Sequence, residues 1–190
     1  MRNRIESELK ESIKTKTEVL NKLVPQIELA ANIMIEALRG GNKIFFFGNG
    51  GSAADAQHLA AELIGRFKKE RKALPAMALT TDSSILTCLG NDYSFDIIFA
   101  RQIEGLAQKG DIALGISTSG NSKNVLEGFK KAKEMGCKTI GLLGNGGGTI
   151  TNLSDISVVI PSTNTPHIQE SHITIGHILC SLIEQELFPG

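Results

Sequence analysis

Cysteine is scarce in this 190-residue chain. Cys88, Cys137 and Cys180 are odd in number, far apart and form no CxxC pair. That excludes a disulfide framework and a thiolate zinc cluster, and it fits a reducing cytosol. Excess charge is missing as well. Twenty Lys+Arg balance twenty Asp+Glu, for a formal net charge of zero. Proteins that hold polyanions by bulk electrostatics are usually basic, so nucleic acid is not an expected partner. No apolar run approaches the ~20 residues that span a bilayer. The greasiest stretch, Ile173 to Leu187, is interrupted by His177, Ser181, Glu184 and Glu186 and reads as a buried helix. The charged start, MRNRIESELKESIKTK, has none of the apolar core of a secretory leader. A cytoplasmic location without a membrane partner is therefore expected. Solenoid periods and low-complexity segments are absent too.

What is present is ordinary globular composition, 41% apolar and 21% charged, long enough for one domain with a substantial core. Over residues 4–38, Leu9, Ile13, Leu20, Leu23, Ile27, Ala31, Met34 and Leu38 recur at helical spacing. Pro25 marks a break or a helix start, and Gly40-Gly41 a stop. Residues 1–40 thus form an N-terminal helical segment, packed on the same chain or on a partner. Beyond it, strands are expected at Lys43–Phe47, Ala76–Thr80, Asp111–Ile116, Lys138–Leu143 and Ile156–Ile160. Helices are expected at about 53–68, 83–89, 95–108, 122–135 and 167–187, with a short one at 149–153. Asn91-Asp92 reads as a turn. Strands alternating with helices indicate βαβ units and a five-stranded parallel sheet covered on both faces. Gly48-Asn49-Gly50-Gly51 recurs as Gly144-Asn145-Gly146-Gly147, which reads as two similar strand-end turns or a trace of repetition. The basic stretch Arg66–Lys72 reads as a solvated helix end.

Two loops carry candidate chemistry. Gly48-Asn49-Gly50-Gly51-Ser52 joins the first strand to a helix, where glycines admit a close ligand and free N–H groups suit an anion. It matches neither the P-loop nor the GxGxxG spacing. Ser117-Thr118-Ser119-Gly120-Asn121-Ser122 also joins strand to helix and offers hydroxyls beside backbone donors. Two such loops at the carboxyl ends of parallel strands point to one crevice. A sugar phosphate fits it better than a nucleoside triphosphate. On the helix after the first loop, His58 and Glu62 share a face at i, i+4, with Asp55 close to it. Either they form a surface pair or they belong to a site. Three of the four histidines lie in the 167–177 stretch, where Gln169 and His177 share a helix side and His172 points elsewhere. If that helix packs beside the first, His58, Glu62, Gln169 and His177 converge. That set is adequate for Zn²⁺ with an open position, and for a carboxylate base beside an imidazole acid.

Taken together, Gly48 through His58, Glu62, Gly90-Asn91-Asp92, Gly115 through Ser122 and Ile168-Gln169-Glu170 closely resemble the phosphoheptose isomerases, which share the sugar-isomerase (SIS) fold. The likeness runs from about residue 5 to 187. It implies a single SIS domain over 1–190, a three-layer α/β/α sandwich of flavodoxin-like type preceded by N-terminal helices. It implies an aldose–ketose isomerase acting on sedoheptulose 7-phosphate, at the first step of nucleotide-activated heptose biosynthesis for lipopolysaccharide or capsule. By position, Asn49, Gly50, Gly51, Asn91, Asp92, Ser117, Thr118, Ser119 and Ser122 match substrate and phosphate contacts. Ser52 and Arg66 match positions near the substrate. His58, Glu62, Gln169 and His177 match ligands of one Zn²⁺ per subunit, and Glu62 and His177 the acid/base pair; Glu62 and Gln169 are also taken as substrate contacts. A homotetramer with sites between subunits is implied. His167 departs from the family, many members of which carry Arg there. The rival reading is a non-enzymatic SIS protein, either a sugar-phosphate sensor or a scaffold binding the replication initiator, which needs the loops but no acid/base pair.

Overall fold

The computed structural model describes residues 1–189. Helices α1 (Arg2–Lys22) and α2 (Val24–Arg39) come first. Pro25 sits in the first turn of α2, where a missing N–H breaks no intrahelical bond. The apolar stripe divides between them: Ile27, Ala31, Met34 and Leu38 are buried, whereas Leu9, Ile13 and Leu20 of α1 are exposed.

Five strands, β1 (Ile44–Gly48), β2 (Ala76–Ala78), β3 (Ile112–Ser117), β4 (Lys138–Leu143) and β5 (Ile156–Val159), form one parallel sheet in the order β2-β1-β3-β4-β5. The chain steps outward from β1 to β2 and then crosses back to β3. The switch point therefore lies between β1 and β3, where open α/β sheets bind ligands beyond the carboxyl ends. Both glycine- and serine-rich loops leave the sheet there.

The remaining helices are α3 (Gly51–Ile64), α4 (Ser83–Asp92), α5 (Ile98–Leu106), α6 (Lys123–Glu134) and α7 (Thr165–Leu187). They cover both faces, so successive strand residues are apolar. Ile44 and Phe46 of β1 pack with α2, α3 and α7, while Phe45 and Phe47 pack with α5 and α6. The three-layer sandwich is as expected.

Several boundaries differ from the sequence reading. α3 stops at Ile64, capped at Gly65, and does not reach 68. Residues 66–72 are not a helix end; Arg66, Lys68, Glu70 and Lys72 are solvated as expected, but the Arg71 side chain is buried against Glu184. Asn91-Asp92 is not a turn but the last turn of α4, a helix that Asp82 starts by accepting the Ile85 N–H. Burial of Leu89 and this cap outweigh the turn preference of Asn and Asp. The segment 95–108 begins as a 3₁₀ turn at Phe95–Ile97 and ends as α5 at Leu106. The short helix expected at 149–153 is present over those residues, as a 3₁₀ helix after the second Gly-Asn-Gly-Gly run.

Phe47, just before the first loop, is clasped by Phe99 and Phe129, with ring centroids 5.3 and 5.6 Å away. Phe129→Ala is expected to cost about 3–5 kcal/mol, the range for buried aromatic truncations, read as a lower midpoint in urea unfolding. A loss below about 1 kcal/mol, typical of a site that collapses freely, would contradict this packing.

Candidate active site

The first loop is built on backbone conformation. Gly50 adopts a φ of 56° as the N-cap of α3, and no side chain caps that helix. The Ala53 N–H bonds the Gly50 carbonyl at 3.0 Å, so it is the Gly51 N–H, at the positive end of the helix, that is left to face an anion. Ser52 is buried, and its N–H bonds the Asn49 carbonyl at 3.0 Å. Asn49 and Asn124 exchange two amide hydrogen bonds, each 2.8 Å. This reciprocal pair ties the first loop to α6.

The second loop is held from within and from behind. Ser117 Oγ lies 3.0 Å from Ser122 Oγ and 3.5 Å from Ser119 Oγ. Asn121 donates its N–H to Ser119 Oγ, and its side-chain oxygen accepts from the Thr149 N–H and hydroxyl. Thr118 is half-buried and Ser119 exposed. Ser122 is the N-cap of α6 without a side-chain cap bond. This helix presents open N–H groups beside several hydroxyls, an arrangement that suits an anion.

The helices α3 and α7 lie side by side in the same direction. Gln169 meets Gly51 near the N-terminus of each, His177 meets His58 further on, and Glu184 meets Phe67 at the far end. Glycine permits the approach at two points. A Cβ on Gly176 would meet the Leu59 side chain at 2.6 Å, and one on Gly51 would overlap the Gln169 amide.

On this seam His58 Nε2 stands 2.8 Å from His177 Nε2 and 3.2 Å from Glu62 Oε1. The Phe67 ring stacks on the His177 imidazole at 5.5 Å and 21°. Gln169 stands toward the loop end, against Gly51 and facing Asp55. Burial pushes the Asp55 carboxyl above its ordinary range, opposed by Gln169, His58 and His177, and its Oδ2 has no hydrogen-bond partner. Two imidazole nitrogens and a carboxylate oxygen within 4.8 Å of one another match the donor chemistry of zinc. The buried Asp55 Oδ2 without a hydrogen-bond partner is a further oxygen in the same region, so the residues present fit a divalent cation.

Three of the four expected ligands thus meet directly, with Gln169 at the loop end of the seam. Asn91 and Asp92 are exposed and bond each other at 2.7 Å; among the described residues they make no hydrogen bond to either loop. Arg66 is exposed and pairs with Glu70 at 3.7 Å. His172 is buried, donates to or accepts from no seam residue, and bonds the Leu143 carbonyl through Nε2; burial lowers its pKa to about 4. His167 is buried between Glu11 of α1 and Glu170, at 3.3 and 3.0 Å. Sequence reasoning missed Asn124, Phe67 and the Arg71–Glu184 pair, none of which has a local signal because each partner is more than sixty residues away or outside the motifs. Asn124→Ala would leave the Asn49 amide without its two partners. A loss of about 1–3 kcal/mol, the usual penalty for orphaned buried polar groups, is expected in denaturant unfolding; an unchanged midpoint would show that the pair does not hold the loop.

Comparisons with known proteins follow the same lines. The SIS domain family model matches residues 9–144. A phosphoheptose isomerase from Nitratiruptor sp. is 60% identical over 185 residues, 97% of this chain and 99% of the relative. The solved phosphoheptose isomerase from Francisella tularensis superposes with a TM-score of 0.94 at 41% identity, covering 96% of this chain and 97% of that one. The one from Neisseria gonorrhoeae gives 0.92 at 43%, covering 97% and 98%. A match of this extent in both sequence and fold means that the chain belongs to the phosphoheptose isomerase family of SIS-domain enzymes.

Proposed function

We propose that this enzyme converts D-sedoheptulose 7-phosphate to D-glycero-D-manno-heptose 7-phosphate, and that residues 1–190 act as one SIS domain. The observation that carries the reading is the meeting of His58, Glu62 and His177 on the α3–α7 seam, below two anion-suited loops at the switch point of the sheet. The names of the relatives, phosphoheptose isomerase, agree with it.

The phosphate binds to Ser117, Thr118, Ser119 and Ser122 and the open N–H groups of α6. Asn49, Gly50, Gly51 and Ser52 border the sugar, with Gln169 across the seam. Asn91 and Asp92 are assigned as further contacts by likeness to the family alone. Glu62 lies ten residues beyond Ser52, about 15 Å along a helix rising ~1.5 Å per residue. An elongated substrate can therefore reach from the phosphate end toward the acid/base pair.

The chemistry is proton transfer. The Glu62 carboxylate takes a proton from carbon 1 of the ketose, and the bond electrons form the C1–C2 double bond of an enediol. His177 moves the proton between the oxygens on carbons 1 and 2. Return of a proton to carbon 2 gives the aldose. His58, Glu62, Gln169 and His177 would hold one zinc ion per subunit, which when bound supplies Lewis-acid polarisation of the sugar carbonyl.

A homotetramer with sites between subunits completes the proposal. Exposed Ile5, Leu9, Ile13 and Leu20 on α1, and Ile178 beside His177, support burial against other copies. The product would enter nucleotide-activated heptose synthesis in the cytoplasm. Among the described residues no helix is long and apolar enough to cross a membrane.

Two substitutions separate the roles. Glu62→Gln is expected to lower kcat by about 10²–10⁴, the span of general acid–base contributions, with folding intact. Ser119→Ala is expected to raise KM about tenfold with kcat little changed, as for a contact made equally in ground and transition states. An active Glu62→Gln enzyme removes Glu62 from the base role, and a Ser119→Ala enzyme impaired only in kcat removes Ser119 from the phosphate site.

A further inference from the structure

We infer that the buried Arg71–Glu184 pair positions the reacting side chains, acting on His177 through Phe67 and on Glu62 through its backbone. The inference rests on the reading of Glu62 and His177 as the acid/base pair. Both charged side chains are almost wholly buried, 1% and 2% exposed, with Arg71 Nε 2.9 Å from Glu184 Oε1. A buried ion pair gains little stability over apolar packing unless further hydrogen bonds satisfy it. Here the remaining bonds go to the last turn of α3 and to the connection that leads from it to β2.

Glu184 accepts the N–H groups of Phe67 at 2.8 Å, Lys68 at 2.8 Å and Lys69 at 3.1 Å. Burial favours the neutral acid, but these three donors and Arg71 outweigh it and hold the carboxyl below its usual range. Arg71 donates to the carbonyls of Leu63, Gly65 and Lys72, and to that of Glu62 at 2.8 Å. The guanidinium thereby caps the C-terminus of α3, where a cation is also favoured by the helix dipole.

The geometry points at the chemistry from both ends. Glu184 follows His177 by seven residues, close to two helical turns, so both lie on the same side of α7. The backbone N–H that Glu184 fixes is that of Phe67, the residue whose ring stacks on His177. The carbonyl that Arg71 fixes belongs to Glu62. Each member of the acid/base pair is one covalent residue or one ring contact from this ion pair. Such supporting contacts typically change activity by 10–100-fold when removed.

The test compares Glu184→Gln, Phe67→Leu and Phe67→Tyr with the wild-type protein. kcat and KM are measured on sedoheptulose 7-phosphate, alongside the His177 ring resonance in histidine-labelled protein. The chain has four histidines, so single substitutions assign them. Glu184→Gln that still melts cooperatively is expected to lose kcat about tenfold or more, with KM within about twofold. Its His177 resonance should move toward that of Phe67→Leu as the ring contact loosens. Phe67→Leu should show the same kcat loss, and Phe67→Tyr, which keeps the ring, should restore kcat to within about threefold. A folded Glu184→Gln protein with wild-type kcat and an unmoved resonance would overturn the inference. So would equal activities for Phe67→Leu and Phe67→Tyr, which decide the matter if Glu184→Gln does not fold. If the wild-type protein turns over no heptose phosphate, the assigned reaction fails. The resonance alone then shows whether Glu184 sets the His177 ring, and an unmoved signal overturns the positioning role.

Discussion

The close parallel packing of α3 against α7 is the constraint on which the site depends. Two helices can bring long side chains to a common point only if their axes approach, and here Gly176 under Leu59 and Gly51 under Gln169 allow that approach. The spacing along each helix then does the rest. His58 and Glu62 are one turn apart on α3, and His177 arrives from α7 at 2.8 Å. A side chain at Gly176 would push against Leu59 in a close-packed layer, where added atoms force shifts, and the separation of the two imidazoles would change with it. The seam is thus a matter of backbone proximity first and of functional groups second.

The sheet supplies the other half of the arrangement. Because the strand order reverses between β1 and β3, the two ligand-suited loops emerge side by side. Their shapes are fixed by neighbours as well as by their own residues: Asn124 holds the first loop, and the 148–150 turn holds the second. Both loops run straight into helices whose first N–H groups lack side-chain caps. In the proposed site, neutral donors would do the work that Lys or Arg does elsewhere.

Much of this was legible in the sequence because the signals are local. Short apolar runs between helical segments indicate a parallel sheet, and β4 and the 149–153 turn fall where the pattern puts them. His58, Glu62 and His177 could be grouped from i, i+4 spacing and one packing assumption. What was not legible depends on distant partners. Arg71 reads as one basic residue among several until Glu184, 113 positions away, is seen to bury it. Asn91-Asp92 reads as a turn because Asn and Asp favour turns, yet the cap at Asp82 and burial of Leu89 keep them helical. The end of α3 at Ile64 is set by Gly65 and by the Arg71 guanidinium on its last carbonyls, a tertiary contact that periodicity does not register. Leu9, Ile13 and Leu20 continue the regular stripe, yet all three are exposed, which periodicity alone does not register.

The most direct measurement is turnover of sedoheptulose 7-phosphate by the purified protein, first supplied with zinc and then treated with a chelator. The expected result is conversion with zinc that the chelator abolishes and fresh zinc restores, because the His58–Glu62–His177 donor set suits that ion. Conversion indifferent to the chelator would contradict the metal's part. No conversion in either condition, from a cooperatively folded protein, would contradict the assigned reaction itself.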